Sequence, residues 1–318
     1  MKKRIFKELL LFFLTLSLFC GCTHAELVPQ QTLSSVESTV VESTAVESTE
    51  SPTEEEKPIV SPDGFFQIHF LDVGYGDAAL VICDGKTMLI DGGSSAKTIS
   101  GFLTEQGISH LDYVVATHAH SDHVGGLTGA LTAADADVIL STVAESDDKS
   151  FQKFANKATE RGISITVPNV GDTFSLGEAV VTVLGPVPGK QYEDPNDTSL
   201  VLHIVYGETS VLFTGDIEEP AQRDLLESGV IPRATLLKVP HHGKKSAATE
   251  AFLEVVQPAY GVISIGASKQ PDANVLSSLQ NINATVYRTD LNGNIICNSN
   301  GRELSFEMAK TASENQGS

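Results

Sequence analysis

Between an apolar run and a later helix, the chain carries the stretch Thr117-His118-Ala119-His120-Ser121-Asp122-His123-Val124-Gly125-Gly126. The apolar residues 113–116 predict a short buried strand before it, and the two glycines predict the start of the helix after it. Three histidines and an aspartate therefore share one strand-to-helix loop, where residues two apart can converge on a common point. Imidazole and carboxylate groups are ligands for divalent transition metals such as zinc. We assign His118 and His120 to one ion, and Asp122 and His123 to a second.

A helix cap, or histidines bonded to backbone carbonyls, is the alternative interpretation of this loop, and it would suffice for a single histidine. Three histidines and an aspartate within six residues favour a metal site. The pattern resembles the HxHxDH motif of the metallo-β-lactamase superfamily, whose members are metal-dependent hydrolases. That resemblance implies an α/β fold, the four-layer αβ/βα sandwich, and two divalent ions per chain, Zn or Mn.

Further motifs follow in the order that the resemblance requires. Residues 89–93 contain Asp91-Gly92-Gly93 and match the first motif, whose aspartate orients ligands and does not bind metal. Asp216 follows a predicted hairpin and matches the fourth motif, whose carboxylate bridges the two ions. Residues 236–243 end in His241-His242-Gly243 and match the fifth motif. There the resemblance favours His242 as the ligand, with His241 as the alternative.

Together with residues 71–78, these motifs resemble the soluble hydrolase domain of ComEC, a family of competence DNA-uptake channels, from about residue 65 to residue 302. The chain departs from that family at Tyr75, where Gln is usual, and at 265–271, which contain no histidine. No histidine lies between His123 and His203 either. Asn196 or Asp197 is therefore assigned as an oxygen ligand of the first ion. A site poorer in nitrogen ligands favours manganese over zinc.

The predicted site has three parts. Catalysis is assigned to Asp122, Asp216 and His242. The predicted metal ligands are His118, His120, Asp122, His123, Asp216, His242 and Asp197. The side chains predicted to orient those ligands or to contact substrate are Asp72, Asp77, Asp91, His241, Lys244 and Lys245.

The resemblance implies an extracytoplasmic dinuclear hydrolase of phosphodiester bonds, a nuclease of ComEC type whose partner is single-stranded DNA or another phosphodiester. The formal net charge of -20 is too acidic for a general nucleic-acid surface and suits a small or zwitterionic substrate at least as well. One alternative is therefore a hydrolase of another ester, such as a phosphorylcholine or teichoic-acid ester, of a lactone or of a β-lactam. The other is a surface binding module with a degenerate site.

The N-terminal residues of the sequence predict export and membrane anchoring. Residues 1–22 begin with basic residues, continue with an apolar run too short for a comfortable membrane span, and end in Gly21-Cys22. They resemble a bacterial lipoprotein signal that lipidates Cys22 and anchors the chain on the outer face of the cytoplasmic membrane. An ordinary cleaved signal and an uncleaved anchor are the alternatives.

The composition then divides the rest of the chain into three segments. Residues 23–63 repeat a Val-Glu-Ser-Thr tetrad without aromatic residues, which predicts a disordered stalk. The hydrolase domain is predicted for 64–308 and a disordered tail for 309–318. Within the domain, Cys83 and Cys297 either form a disulfide or are two small buried apolar residues, and the sequence leaves both open.

Overall fold

The computed structural model describes residues 65–310 of the chain. The predicted lipoprotein signal with its lipidation at Cys22, the predicted stalk, and residues 311–318 of the predicted tail lie outside the described residues. None of the helices within 65–310 is long and apolar enough to cross a membrane.

Strands and helices alternate along the described part. The strands are β1 (Phe66–Phe70), β2 (Ala79–Cys83), β3 (Lys86–Ile90), β4 (His110–Ala116), β5 (Asp135–Ser141), β6 (Ile165–Thr166), β7 (Thr173–Leu176), β8 (Ala179–Gly185), β9 (Val201–Tyr206), β10 (Thr209–Phe213), β11 (Leu236–Lys238), β12 (Tyr260–Ile263), β13 (Thr285–Arg288), β14 (Ile295–Ser299) and β15 (Leu304–Met308). The helices are α1 (Ala96–Glu105), α2 (Ser121–Val124), α3 (Leu127–Ala133), α4 (Lys149–Glu160), α5 (Glu219–Ser228), α6 (Thr249–Val256), α7 (Ala273–Asn281) and α8 (Thr289–Asn292). Two short 3-10 turns lie at Pro195–Thr198 and Pro240–Gly243.

The strands form two sheets that pack face to face. The first has eight strands in the order β15-β14-β1-β2-β3-β4-β5-β6, and the second has seven in the order β13-β12-β11-β10-β9-β8-β7. Helices α1, α3 and α4 cover the outer face of the first sheet, and α5, α6 and α7 cover that of the second. The predicted four-layer αβ/βα sandwich is confirmed.

Strand β2 shows why the sequence adopts this layering. Its residues are all apolar and all buried, which is the pattern of a strand covered on both faces. Val81 and Cys83 join the core between the two sheets. Leu80 and Ile82 join the core beneath the helices of the first sheet.

Most predicted elements within the domain are found, with shifts at their ends. The sequence predicts helices over Glu219–Ser228 and Thr249–Val256, and α5 and α6 have these bounds. The helix predicted for 98–106 begins two residues earlier, because the Ser95 side chain accepts a hydrogen bond from Thr98 N and caps it. The strand predicted for 163–167 shortens to β6.

The two cysteines of the described domain are buried and free. Strand β1 lies between their strands, with Phe66 opposite Cys83 and Ile68 opposite Cys297. Two strand spacings amount to roughly 10 Å, whereas a disulfide requires Cα atoms within about 7 Å. The alternative of two buried apolar residues is therefore correct, and the disulfide is not formed.

Candidate metal centre

The predicted ligands converge at one edge of the sandwich, where several strands end. The histidine-rich loop follows β4, Asp216 follows the end of β10, and His242 follows β11. Strands β3 and β4 are parallel, as are β10 and β11. Their carboxyl ends therefore deliver these loops to a common edge, which is the usual place for a site in an α/β sheet.

One group of side chains has the arrangement of a metal site. Ligand atoms of Asp122, His123, Asp216 and His242 all lie within 4.8 Å of one another. The Nε2 atoms of His123 and His242 are each 3.2 Å from Asp216 Oδ2. His242 Nε2 is also 3.5 Å from Asp122 Oδ2. Asp122, His123 and His242, the three residues predicted for the second ion, are thus brought together with Asp216.

The hydrogen bonding of this group fits a cation. Three buried atoms, His123 Nε2, His242 Nε2 and Asp216 Oδ1, make no hydrogen bond of acceptable geometry to any residue in 65–310. A buried polar atom without a hydrogen-bond partner destabilises the folded protein by roughly 1–3 kcal/mol. Three such atoms close together therefore indicate a shared partner, such as a cation. Two imidazoles and two carboxylates are the donor set that suits a divalent transition metal.

A second, smaller group adjoins it. His118 Nε2 and His120 Nδ1 lie 3.2 Å apart, and His120 Nδ1 is 2.8 Å from Asn196 Oδ1. The rings of His118 and His123 are separated by 4.1 Å between centroids. Two imidazole nitrogens and an amide oxygen therefore converge beside the first group, as expected for the other ion. That Asp216 bridges the two ions remains a prediction.

Asp197 lies elsewhere than predicted. Its Oδ1 accepts hydrogen bonds from the backbone N–H groups of Glu218 and Ala221, at 2.8 and 3.2 Å, and so caps the start of α5. The first N–H groups of a helix have no acceptor within the helix, and the Asp197 carboxylate provides one. The assignment of Asp197 as a ligand is therefore corrected, and a ligand role for Asn196, the alternative, remains a prediction.

Asp91 holds the histidine-rich loop from below, as predicted. Its Oδ2 lies 2.8 Å from His123 Nδ1, and its two oxygens accept hydrogen bonds from Thr117 N and Oγ1 at 2.8 and 2.7 Å. These contacts fix the His123 ring so that Nε2 faces Asp216. Asp91 itself has a φ of 57°, which is rare for a residue with a side chain and indicates a conformation imposed by its surroundings.

Asp77 supports His242 in a similar way. Its Oδ1 is 3.3 Å from His242 Nδ1, which also lies 2.9 Å from the Ser264 carbonyl oxygen. Its Oδ2 forms an ion pair of 2.7 Å with the buried ammonium of Lys238. Sequence analysis named Asp77 but missed Lys238.

The two neighbouring histidines of the fifth motif point in different directions. His241 and His242 both have positive φ angles, 48° and 53°, so the backbone turns sharply after β11. His242 enters the first group, whereas His241 Nδ1 lies 2.9 Å from Glu218 Oε1 and its Nε2 lies 3.7 Å from Asp216 Oδ2. This geometry favours His242 as the ligand, with His241 at the rim.

Gly76 allows the 71–78 loop to approach the site closely. Its φ is +128°, and a Cβ there would lie 2.1 Å from the Asp122 carbonyl oxygen. The same oxygen accepts a hydrogen bond of 3.2 Å from Asp77 N. A side chain at this position would push Asp122 out of place, so the glycine is needed for both its torsion and its size.

Charges within the site are strongly coupled. Burial opposes protonation of His123 and His242, but the carboxylates around them, above all Asp216, outweigh it and raise the pKa of both histidines well above the usual value. Burial likewise opposes ionisation of Asp216, yet the two histidines hold its pKa well below the usual value. The carboxylates thus stabilise positive charge among these side chains. A divalent ion would supply that charge in place of the protons on the two histidines.

Three predicted residues do not reach the ligands. Asp72 accepts a hydrogen bond from Gly74 N at 3.3 Å and pairs with Lys310 at 3.0 Å, so it does not orient the ligands, and its alternative role of contacting substrate remains a prediction. Lys244 pairs with Glu218 at 2.8 Å. Lys245 is exposed, next to Lys244 at the rim.

A further group of ligand-type residues lies apart from this edge. His110, Asp112 and Asp137 stand near the start of the parallel strands β4 and β5, with ligand atoms also within 4.8 Å of one another. Asp112 is already satisfied by Lys86 at 2.8 Å and by Thr87 N at 2.8 Å. No buried atom of this group is left without a partner among the described residues.

Comparison with known proteins bears on these motifs. The family model of the Metallo-beta-lactamase superfamily matches residues 71–267. ComE operon protein 3 of Bacillus subtilis is 29% identical over 264 residues, covering 75% of this chain and 33% of that protein. Recombination protein 2 of Haemophilus influenzae is 25% identical over 259 residues, covering 77% and 30%. Competence protein ComA of Neisseria gonorrhoeae is 26% identical over 244 residues, covering 74% and 33%. The chain spans about a third of the length of these curated relatives, and the resemblance inferred from the motifs is confirmed.

Proposed function

The chain belongs to the metallo-beta-lactamase superfamily of hydrolases, and on that premise we propose that it is a dinuclear metal-dependent phosphodiesterase that cleaves nucleic acid. The observation that carries the proposal is the convergence at Asp216 of three buried ligand atoms that make no hydrogen bond of acceptable geometry to any residue in 65–310. A degenerate binding module would have no need to keep such atoms aimed at one another, because each lost hydrogen bond destabilises the fold.

Each part of the site has a role in this proposal. His118, His120 and Asn196 would hold one ion, and Asp122, His123 and His242 the other, with Asp216 between them. When bound, two divalent ions neutralise charge that develops on the attacked phosphoryl group and lower the pKa of a shared water. The protein's own contribution is orientation. Asp91 contacts the outer nitrogen of His123, and the Ser264 carbonyl oxygen contacts that of His242 with Asp77 beside it, so that the inner nitrogens of both rings would be aimed at the ions.

Two observations support a nucleic-acid substrate. The relatives include a recombination protein and a competence protein, and both words refer to the handling of DNA. Lys244 and Lys245 directly follow the site in the sequence. Lys244 pairs with Glu218, but Lys245 is exposed and forms no ion pair with another residue of 65–310, so it offers positive charge to phosphate groups despite the acidic chain as a whole.

The test combines metal content with hydrolysis. The purified chain is loaded with Mn²⁺ or Zn²⁺ and offered bis-p-nitrophenyl phosphate, single-stranded DNA, double-stranded DNA, a lactone and a chromogenic β-lactam. We expect about two ions per chain and cleavage of the phosphodiesters. Cleavage of only the lactone or the β-lactam would show that the substrate is not a phosphodiester. Failure to bind any metal would refute the proposed mechanism.

We propose further that the enzyme acts outside the cytoplasmic membrane, anchored through a lipid at Cys22. The support is the signal-like sequence of residues 1–22 and the Gly21-Cys22 pair. In a bacterial host, the wild-type chain is expected in the membrane fraction and accessible to external protease. Cys22→Ser should release it from that fraction. Equal membrane retention of the variant would contradict lipidation at this residue.

A further inference from the structure

Tyr75 is a large aromatic residue exposed at the mouth of the metal centre. Its side chain is 39% exposed, whereas His242 beneath it is 2% exposed. The two rings lie 4.4 Å apart between centroids, at an angle of 52°. Part of the tyrosine ring therefore covers a predicted ligand, and the rest faces the space from which a substrate must approach.

The backbone holds Tyr75 in this position. Gly74 and Gly76 on either side of it have φ angles of +78° and +128°, so the residue stands at the tip of a tight turn. A Cβ on Gly266 would lie 2.7 Å from Tyr75 N, which shows that the loop after β12 packs directly against that turn. An aromatic ring on a rigid turn loses little entropy when a ligand stacks on it.

Positive charge accompanies the ring. Lys269 Nζ lies 5.7 Å from the Tyr75 ring centroid, within the range of a cation–π contact. Lys269 forms no ion pair with another residue of 65–310, in contrast to Lys244, which pairs with Glu218. An ammonium at this position repels a cationic substrate group such as choline and attracts an anionic one.

From this geometry we propose that Tyr75 is a stacking surface for an unpaired base of a single-stranded nucleic acid, with Lys269 contacting the adjoining phosphate. The inference rests on the proposed function, because it assigns a substrate class to the same site. An aromatic ring beside a cation is the combination that binds successive bases and phosphates of a single strand. In a duplex the base faces are stacked on one another and are not accessible to the ring.

The first arm of the test measures cleavage. The metal-loaded full chain and its Tyr75→Leu and Tyr75→Phe variants are given a short oligothymidylate and an abasic oligomer of equal length. Tyr75→Leu should reduce the ratio of kcat/KM for the two substrates about 5- to 100-fold, mainly through KM, and Tyr75→Phe should keep it. A side chain that only covers His242 would lower both rates equally and leave the ratio unchanged, which would overturn the inference while the proposed function stands.

The second arm measures binding without cleavage. The chain contains no tryptophan, so Tyr75→Trp introduces a single indole at the proposed stacking position. Oligothymidylate should quench its fluorescence, and the abasic oligomer should not. Quenching in a metal-loaded protein that cleaves no phosphodiester would uphold the stacking surface and refute the proposed function. Equal quenching by both oligomers, or none by either, would refute the stacking surface.

Discussion

Asp216→Asn is expected to lower kcat/KM for bis-p-nitrophenyl phosphate on the order of 10³-fold and to remove at least one of two bound ions. The carboxylate is buried, with 2% exposure, and its Oδ2 lies 3.2 Å from each of two imidazole nitrogens. An amide has nearly the same shape but carries no charge and has only one acceptor oxygen. The variant should therefore fold and fail to hold the metal.

Asp137→Asn is the matched control. Asp137 is exposed and belongs to the group with His110 and Asp112, whose ligand atoms also lie within 4.8 Å of one another. The control should keep both ions and the wild-type rate. Metal content and rate are measured on both variants after the same loading and desalting. If Asp137→Asn lost metal and Asp216→Asn retained it, the ions would bind near His110 and Asp112, at the start of β4 and β5, and the proposed centre would be wrong.

The sequence predicted the parts of the site that lie on loops after strands. His118 to His123 are close in the chain, so their convergence follows from one turn. Asp216 and His242 were placed by the motifs that they match, and the structure supports this because each follows a short strand and parallel strands bring their ends to one edge. The alternation of strands and helices indicates a layered α/β architecture, whereas the four-layer sandwich was predicted from the family resemblance.

The choice between Asn196 and Asp197 could not be made from the sequence. The two residues are adjacent in a 3-10 turn, Pro195–Thr198, and successive side chains of such a turn point in different directions. Asp194 accepts a hydrogen bond from Asn196 N at 2.9 Å, and this contact helps to set the orientation. Asp197 is held by the backbone N–H groups at the start of α5. This contact could not be predicted from the local sequence, because α5 begins over twenty residues later in the chain.

Lys238 left a signal in the sequence that was not used. It stands between Leu237 and Val239 in a strand whose neighbours are apolar, so its side chain had to be buried with a counter-charge. The partner could not be identified, because Asp77 lies on the loop before β2 in the other sheet. No strand was predicted either for the four-residue segments that form β12 and β13.

Lys238→Met is expected to destabilise the folded chain by about 3–5 kcal/mol, because it leaves Asp77 as a buried carboxylate without its cation. Lys238 is 2% exposed and Asp77 is 6% exposed, and their charged atoms are 2.7 Å apart. Burial alone would raise the pKa of Asp77, but Lys238 and His242 outweigh burial and hold that pKa well below its usual value. Urea unfolding of the metal-free protein near neutral pH measures the loss.

A double variant separates stability from function. Lys238→Met combined with Asp77→Asn removes both charges, and it should recover most of the lost stability, since no uncompensated ion remains. The amide lacks the negative charge that orients His242, so metal affinity should stay roughly 10- to 100-fold below that of the wild type. If the double variant were as unstable as Lys238→Met alone, the cost would come from packing of the lysine stem. If it bound metal as tightly as the wild type, Lys238 and Asp77 would hold the two sheets together without positioning His242.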